Sequence, residues 1–302
     1  MKKAIAWTKG LRPVRVYKAY SVAGGNLLAA GMSFEALFAV FAAVWIGFSL
    51  FGVYLSTHEV LLQAVIDFIN FQIPGLIRTG GPIDPALLAS STSLGWTGGL
   101  AIFVVLYTAI NWLNYTRIAI RATFSLAPSS VNYVLLKLYD LVIAVGYGLL
   151  VVLSAAATVV VTRLAKTWLP AIGLSDAGRP TELLIQAGSL ILIVAFDMVL
   201  LGGMIRILSG VPIPWRNVFA GSVLGAIALG VLKVVGAVLL THTSSNPLLA
   251  TFAVFIGLLI YFNIASRIFL LTASWIAVGM RDKGIEAVDL GWIVPRRHSK
   301  QG

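Results

Sequence analysis

Five ionisable side chains interrupt long apolar stretches of this chain: Glu35, Asp140, Asp197, Lys233 and Arg267. In hydrocarbon each is costly unless a partner or water reaches it, so such residues mark internal ties or wetted pathways. Asn111 and Asn114 share a helix face leading toward Arg121, and Asn263 shares a face with Arg267 one turn on. At about 1.5 Å per residue, Asp197 lies roughly 14 Å from the end of its stretch at Arg206. Glu35 sits at a similar level, counted from Leu27. Asp140, close to Lys137, reads as interfacial, and Lys233 as lying nearer the opposite end, able to snorkel to headgroups. Two readings stay open. As a set at one depth, Glu35, Asn111, Asn114, Asp197, Asn263 and Arg267 would line a polar cavity open to the cytoplasm. Singly, pairs such as Asp197–Arg267 would tie helices together.

The elements that must hold these residues follow from composition. The chain has 302 residues, 59% of them hydrophobic and only 11% charged. Average soluble domains carry about a quarter charged residues, so this chain lacks the polar surface of a water-soluble globule. Apolar runs long enough for a roughly 30 Å hydrocarbon core predict spans at 27–55, 95–117, 137–162, 182–206, 216–240 and 248–278. Turn signals separate them at Pro128, Pro170, Pro180, Pro212 with Pro214, and Pro247. The fold class expected is an all-α membrane protein, a polytopic bundle of six transmembrane helices plus interfacial amphipathic helices. The first run is too long for a signal-peptide core and is read as a retained helix. Gly221-x-x-x-Gly225 and Ala226-x-x-x-Gly230 allow close helix approach.

Three regions result: a basic lead-in at 1–26, the transmembrane domain at 27–280, and a basic tail at 281–302. Lys and Arg concentrate in the lead-in, at Arg117, Arg121 and Lys137, at Arg206 and Arg216, and beyond residue 280. The intervening segments hold only Arg78, Arg163, Lys166 and Arg179. This bias predicts both termini in the cytoplasm. Arg12, Arg15, Lys18 and Arg121 are the expected contacts for anionic headgroups, and the net charge of +11 is assigned to membrane lipid rather than nucleic acid. Within 58–77, Glu59, Gln63, Asp67 and Asn70 recur at helical spacing among apolar residues up to Pro74-Gly75. That pattern predicts an amphipathic helix lying on the outer surface.

Enzyme chemistry finds little to work with. The histidines are His58, His242 and His298, all outside the spans, and there are no cysteines. No HExxH, Walker A or G-x-S-x-G pattern occurs. No catalytic residue, metal or cofactor is therefore assigned.

The first span, GGNLLAAGMSFEALFAVFAAVW, carries an Ala-x-Ser-Phe-x-x-Leu-like core from Gly31 to Leu37. With NWLNYTRIAIR, PIPWRNVFAGSVLGA and an aromatic-rich last helix, it resembles the YihY/virulence factor BrkB family over nearly the whole chain. The resemblance implies a six-helix protein of the bacterial inner membrane, once labelled ribonuclease BN, with relatives proposed to export lipids or other amphiphiles. Two features depart from it. The proline usual after the first motif is missing, and Ser274 and Trp275 stand where an acid often lies near the end of the last helix. The leading expectation is a transporter or flippase of lipids or amphiphilic molecules. The alternative is a non-transporting scaffold or envelope-assembly partner, with a membrane-bound hydrolase third. A homo-oligomer or partner protein is compatible with either.

Overall fold

Runs of apolar residues without internal proline favour helix, and where the backbone must satisfy its own hydrogen bonds the helix is the natural spanning form. The computed structural model describes residues 11–56, 58–78, 82–85, 96–127, 132–150, 153, 178–241 and 247–288. Most of the stretch from 79 to 95, the far end of the third expected span, Arg163 and Lys166, and the ends of the lead-in and tail lie outside them. Among the described residues the chain is helical, with one isolated bridge between Ile77 and Ile83.

The helices are α1 Arg12–Val22, α2 Gly25–Ser56, α3 Glu59–Gln72, α4 Trp96–Thr123, α5 Tyr133–Leu150, α6 Gly178–Ser209, α7 Trp215–Thr241 and α8 Pro247–Arg281. Four contain stretches long and apolar enough to cross a membrane: Gly25–Phe48, Tyr133–Leu150, Trp215–Val238 and Phe255–Arg281. Several helices outrun their expected limits. Pro180 falls within the first turn of α6, where its missing N–H costs nothing. α4 continues past Arg117 and Arg121 because both guanidiniums find partners inside the protein rather than ending the helix at water.

Two cores stack along the bundle. One surrounds Tyr20, Met32, Leu113, Ile120, Ile205, Leu270 and Ile276, at the end where α1, Arg121, Arg206 and Arg281 gather. The other surrounds Val44, Phe48, Leu76, Ile77, Leu258 and Phe262 at the opposite end. Trp112 and Leu229 pack against both. Large apolar side chains remain on the outside, among them Ile227, Val231, Val234 and Val238 of α7. A surface of this kind is stable against lipid, not water.

The lead-in joins the bundle through a glycine pair. Gly24 has φ +72°, a left-handed conformation that ends α1, and a Cβ on Gly25 would strike the Tyr20 ring. α1 lays Val16 and Tyr20 inward, so it is an amphipathic helix with one face on the bundle.

Along the α7–α8 contact, a Cβ on Gly221 would collide with Ile276 and one on Gly225 with Thr272, while Gly236 abuts Tyr261. We expect Gly225→Leu to push the helices apart at about 1–3 kcal/mol, the usual cost of overpacking. Gly230, with open space where a Cβ would go, is the control. Melting curves in detergent should separate the two variants, and equal stability would remove the seam as a packing element.

Candidate functional site

The most polar interior position is reached from three directions. Lys233 of α7 donates to both carboxylate oxygens of Asp197 on α6, at 2.8 and 2.6 Å. It also donates to the side-chain oxygen of Gln72, the last residue of α3, and lies over the Phe71 ring. Gln72 hydrogen-bonds Asp197 in turn, and its backbone carbonyl accepts the Tyr261 hydroxyl of α8 at 2.7 Å. Asp197 and Lys233 are 4% and 6% exposed, so the pair is shut away from solvent.

Four expectations are corrected here. Asp197 does not pair with Arg267, whose side chain is exposed and whose charge lies near Tyr20. Lys233 does not snorkel, because a carboxylate on the next helix lies within reach. Asp140, expected at the interface, is fully buried and paired with Arg117. Arg121, expected at headgroups, is 5% exposed and donates to the carbonyls of Ala127 and Ser209. Lys233, Asp140 and Arg121, read as facing headgroups or water, each find a partner on a neighbouring helix.

A fifth correction concerns α3. It is the amphipathic helix expected, with the Gln63–Asp67 pair on its exposed side. However, its far end dives into the bundle instead of lying on the surface. Ile66, Pro74, Leu76, Ile77 and Ile83 are buried among Val44, Phe48, Leu232, Leu258 and Phe262. With 14 residues the helix is roughly 21 Å long, too short to cross. Residues 59–78 therefore enter and turn back, and Gly75 with φ +73° supplies the left-handed residue at the turn. Non-helical backbone at such depth must be satisfied by protein. Asn70 does this, donating to the Ile77 carbonyl at 2.7 Å and accepting the Ile77 N–H at 2.9 Å.

Registers fix the relative depth of the polar groups. The glycine contacts between α7 and α8 keep one antiparallel register, which brings Lys233 level with Ile264, next to Asn263. The Phe41–Phe255 stack sets α2 against α8 and places Glu35 level with Tyr261. Gly31 faces Tyr115, so Glu35 is level with Asn111 of antiparallel α4. Lys233 thus belongs to the same layer as Glu35, Asn111, Asn114, Asp197 and Asn263, rather than nearer the outer end. Glu35, Asn111, Asn114 and Asn263 are half-buried, and no hydrogen bond to another described residue reaches them. A groove of about 490 Å³ lies between α6 and α7, but none of these residues lines it. Among the described residues no three His, Asp or Glu come together to hold a metal ion.

At the basic end, Arg12 donates to the Trp275 carbonyl at 3.4 Å and lies 4.6 Å from its ring. Arg15 forms a two-pronged bond to Asp282 at 2.6 and 2.9 Å, holding that carboxyl below its usual range. Lys18 is exposed. Trp275 therefore serves as a docking point for α1, a role the sequence signalled only through aromatic and basic residues far apart in the chain.

The virulence factor BrkB family model matches residues 16–291, which takes in the glycine pair, the re-entrant segment and the charged cluster together. The chain belongs to the virulence factor BrkB family. Within curated proteins it is 28% identical over 265 residues to an uncharacterised protein of Dickeya dadantii (strain 3937), covering 84% of this chain and 78% of that one. It is 26% identical over 262 residues to the inner membrane protein YhjD of Escherichia coli (strain K12), covering 84% and 76%. No solved structure matches. For this BrkB-family chain, the motif glycines Gly24 and Gly25 are explained by the α1–α2 turn. PIPWRNVF is explained by the α6–α7 connection, where Arg206 donates to the Ile213 carbonyl and stacks on Trp215.

Proposed function

We propose that this protein is a transporter or flippase of lipids or other amphiphilic molecules in the bacterial inner membrane. The observation that carries the reading is the Asp197–Lys233–Gln72 cluster at the tip of a re-entrant segment. Buried charges at mid-bundle, next to broken backbone, are a recurring arrangement for substrate or coupling-ion sites. In this reading segment 59–78 plugs one end of the bundle and Gln72 latches it to Lys233. Glu35, Asn111, Asn114 and Asn263 are the polar lining on the other helices, and Asp197 or Glu35 would carry a coupling ion. No enzymatic step is invoked.

Six spans go with this reading. α4 and α6, with 28 and 32 residues, are roughly 42 and 48 Å long, ample to cross alongside the four apolar helices. The basic end would face the cytoplasm together with both termini. Reporter fusions after residue 302 and near Pro128 should then read inside, and one near Pro85 outside; a C-terminal fusion reading outside removes this orientation.

One observation favours a scaffold instead: Arg117–Asp140 and Asp197–Lys233 are ion pairs closed within the protein. Vesicles carrying a fluorescent lipid distinguish the readings. The transporter reading expects wild type to move lipid faster than protein-free vesicles. The double variant Asn111→Leu with Asn114→Leu should stay folded, since leucine is a good helix former, yet lose that movement. Wild type working at the protein-free rate would leave the scaffold standing.

A further inference from the structure

The groove between α6 and α7 opens at the basic end of the bundle beside Trp215 and Arg216 and runs as far as Met198, the residue after Asp197, but neither Asp197 nor Lys233 lines it. Its floor is made by Gly202 and Gly203, which bring no side chains to the α6 side. Val199 and Phe219 at its sides are 55% and 60% exposed, so it opens outward to the surrounding solvent, which for this apolar surface is lipid. At about 490 Å³ it has room for one hydrocarbon chain.

Two polar observations say what kind of chain. Arg216, at the mouth, is exposed, and no hydrogen bond or ion pair to another described residue engages it. Its neighbour Arg206 is held by the Ile213 carbonyl and the Trp215 ring, 4.1 Å away, which leaves Trp215 as an interfacial anchor beside a cation that has no internal task. Deeper in the groove, the Ser222 hydroxyl is buried and has no partner. Helical serines usually bond back to the preceding turn, so a buried free hydroxyl is a donor awaiting an acceptor.

We propose that this groove binds an anionic phospholipid, with one acyl chain between α6 and α7, an ester oxygen accepting from Ser222, and the phosphate on Arg216. The inference goes beyond transport, since a lipid held there binds whether or not the protein moves it.

The test uses the purified, delipidated full chain and native mass spectrometry, titrating dioleoyl phosphatidylglycerol and dioleoyl phosphatidylcholine. One cation near an anionic headgroup favours binding about fivefold, so wild type should prefer phosphatidylglycerol by about that factor. Arg216→Gln should abolish the preference while keeping binding of both. Val199→Trp, placing a ring over the exposed mouth, should weaken both lipids several-fold. An unchanged preference in Arg216→Gln, or unchanged lipid binding in Val199→Trp, would overturn the proposal. A wild-type dimer dissociated by Val199→Trp with lipid counts unaltered would overturn it too, assigning the groove to a second copy of the chain.

Discussion

Lys233→Ala is expected to destabilise the folded protein by about 3–5 kcal/mol, because it strands the Asp197 carboxylate in a dry interior. Asp197→Ala should cost a similar amount for the mirror reason, leaving an ammonium with only Gln72 and the Phe71 ring. Replacing both by neutral groups of like size, Asp197→Asn with Lys233→Met, should recover most of the loss, since the pair's own desolvation disappears with it. Arg267→Ala, at an exposed position, should melt like wild type. Thermal unfolding in detergent reads all four. If Arg267→Ala is as damaging as Lys233→Ala, the assignment of partners is wrong.

Asn70→Ala should be nearly as severe, though it removes no charge. The side chain satisfies both the N–H and the carbonyl of Ile77, which is 1% exposed. A buried polar group left without a partner costs about 1–3 kcal/mol, and here two are orphaned at once. The loss should be local, loosening the turn before the rest of the bundle. The chain has no cysteine, so a single Leu76→Cys reports this cleanly: maleimide should label it slowly in the wild-type background and rapidly with Asn70→Ala. Equal rates would mean that the turn holds without Asn70.

Helix positions were legible from apolar length, because a bilayer demands that length whatever the tertiary contacts. Depth was legible where a helix end could be trusted. Counting from Arg206 placed Asp197 well, but counting from the other end of α7 misplaced Lys233, since protein rather than headgroups surrounds that end. Partners were not legible. A one-dimensional reading gives depth along each helix but not which helix stands beside it, and α6 packs on α7, so the nearer cation won. The amphipathic pattern of α3 was ambiguous for a physical reason: a helix on a membrane surface and one half-sunk in a bundle show the same period. Only the contacts of Gln72, Pro74 and Ile77 distinguish them. The helix registers put Glu35, Asn111, Asn114 and Asn263 at one level, while the cavity they were expected to line coincides with no groove described above.

The re-entrant segment also constrains how the protein is made. Gln72 meets Lys233 and Tyr261 at separations of 161 and 189 positions along the chain. When α3 leaves the ribosome, the helices that will enclose its tip have not yet been synthesised. Asn70 can fold the turn back on itself at once, because Ile77 is only seven residues away. Leu76 and Ile77, by contrast, can meet only Val44 and Phe48 of α2 until Leu232 of α7 and Leu258 and Phe262 of α8 arrive. The packing of this early segment is therefore completed only once the last helix is in place.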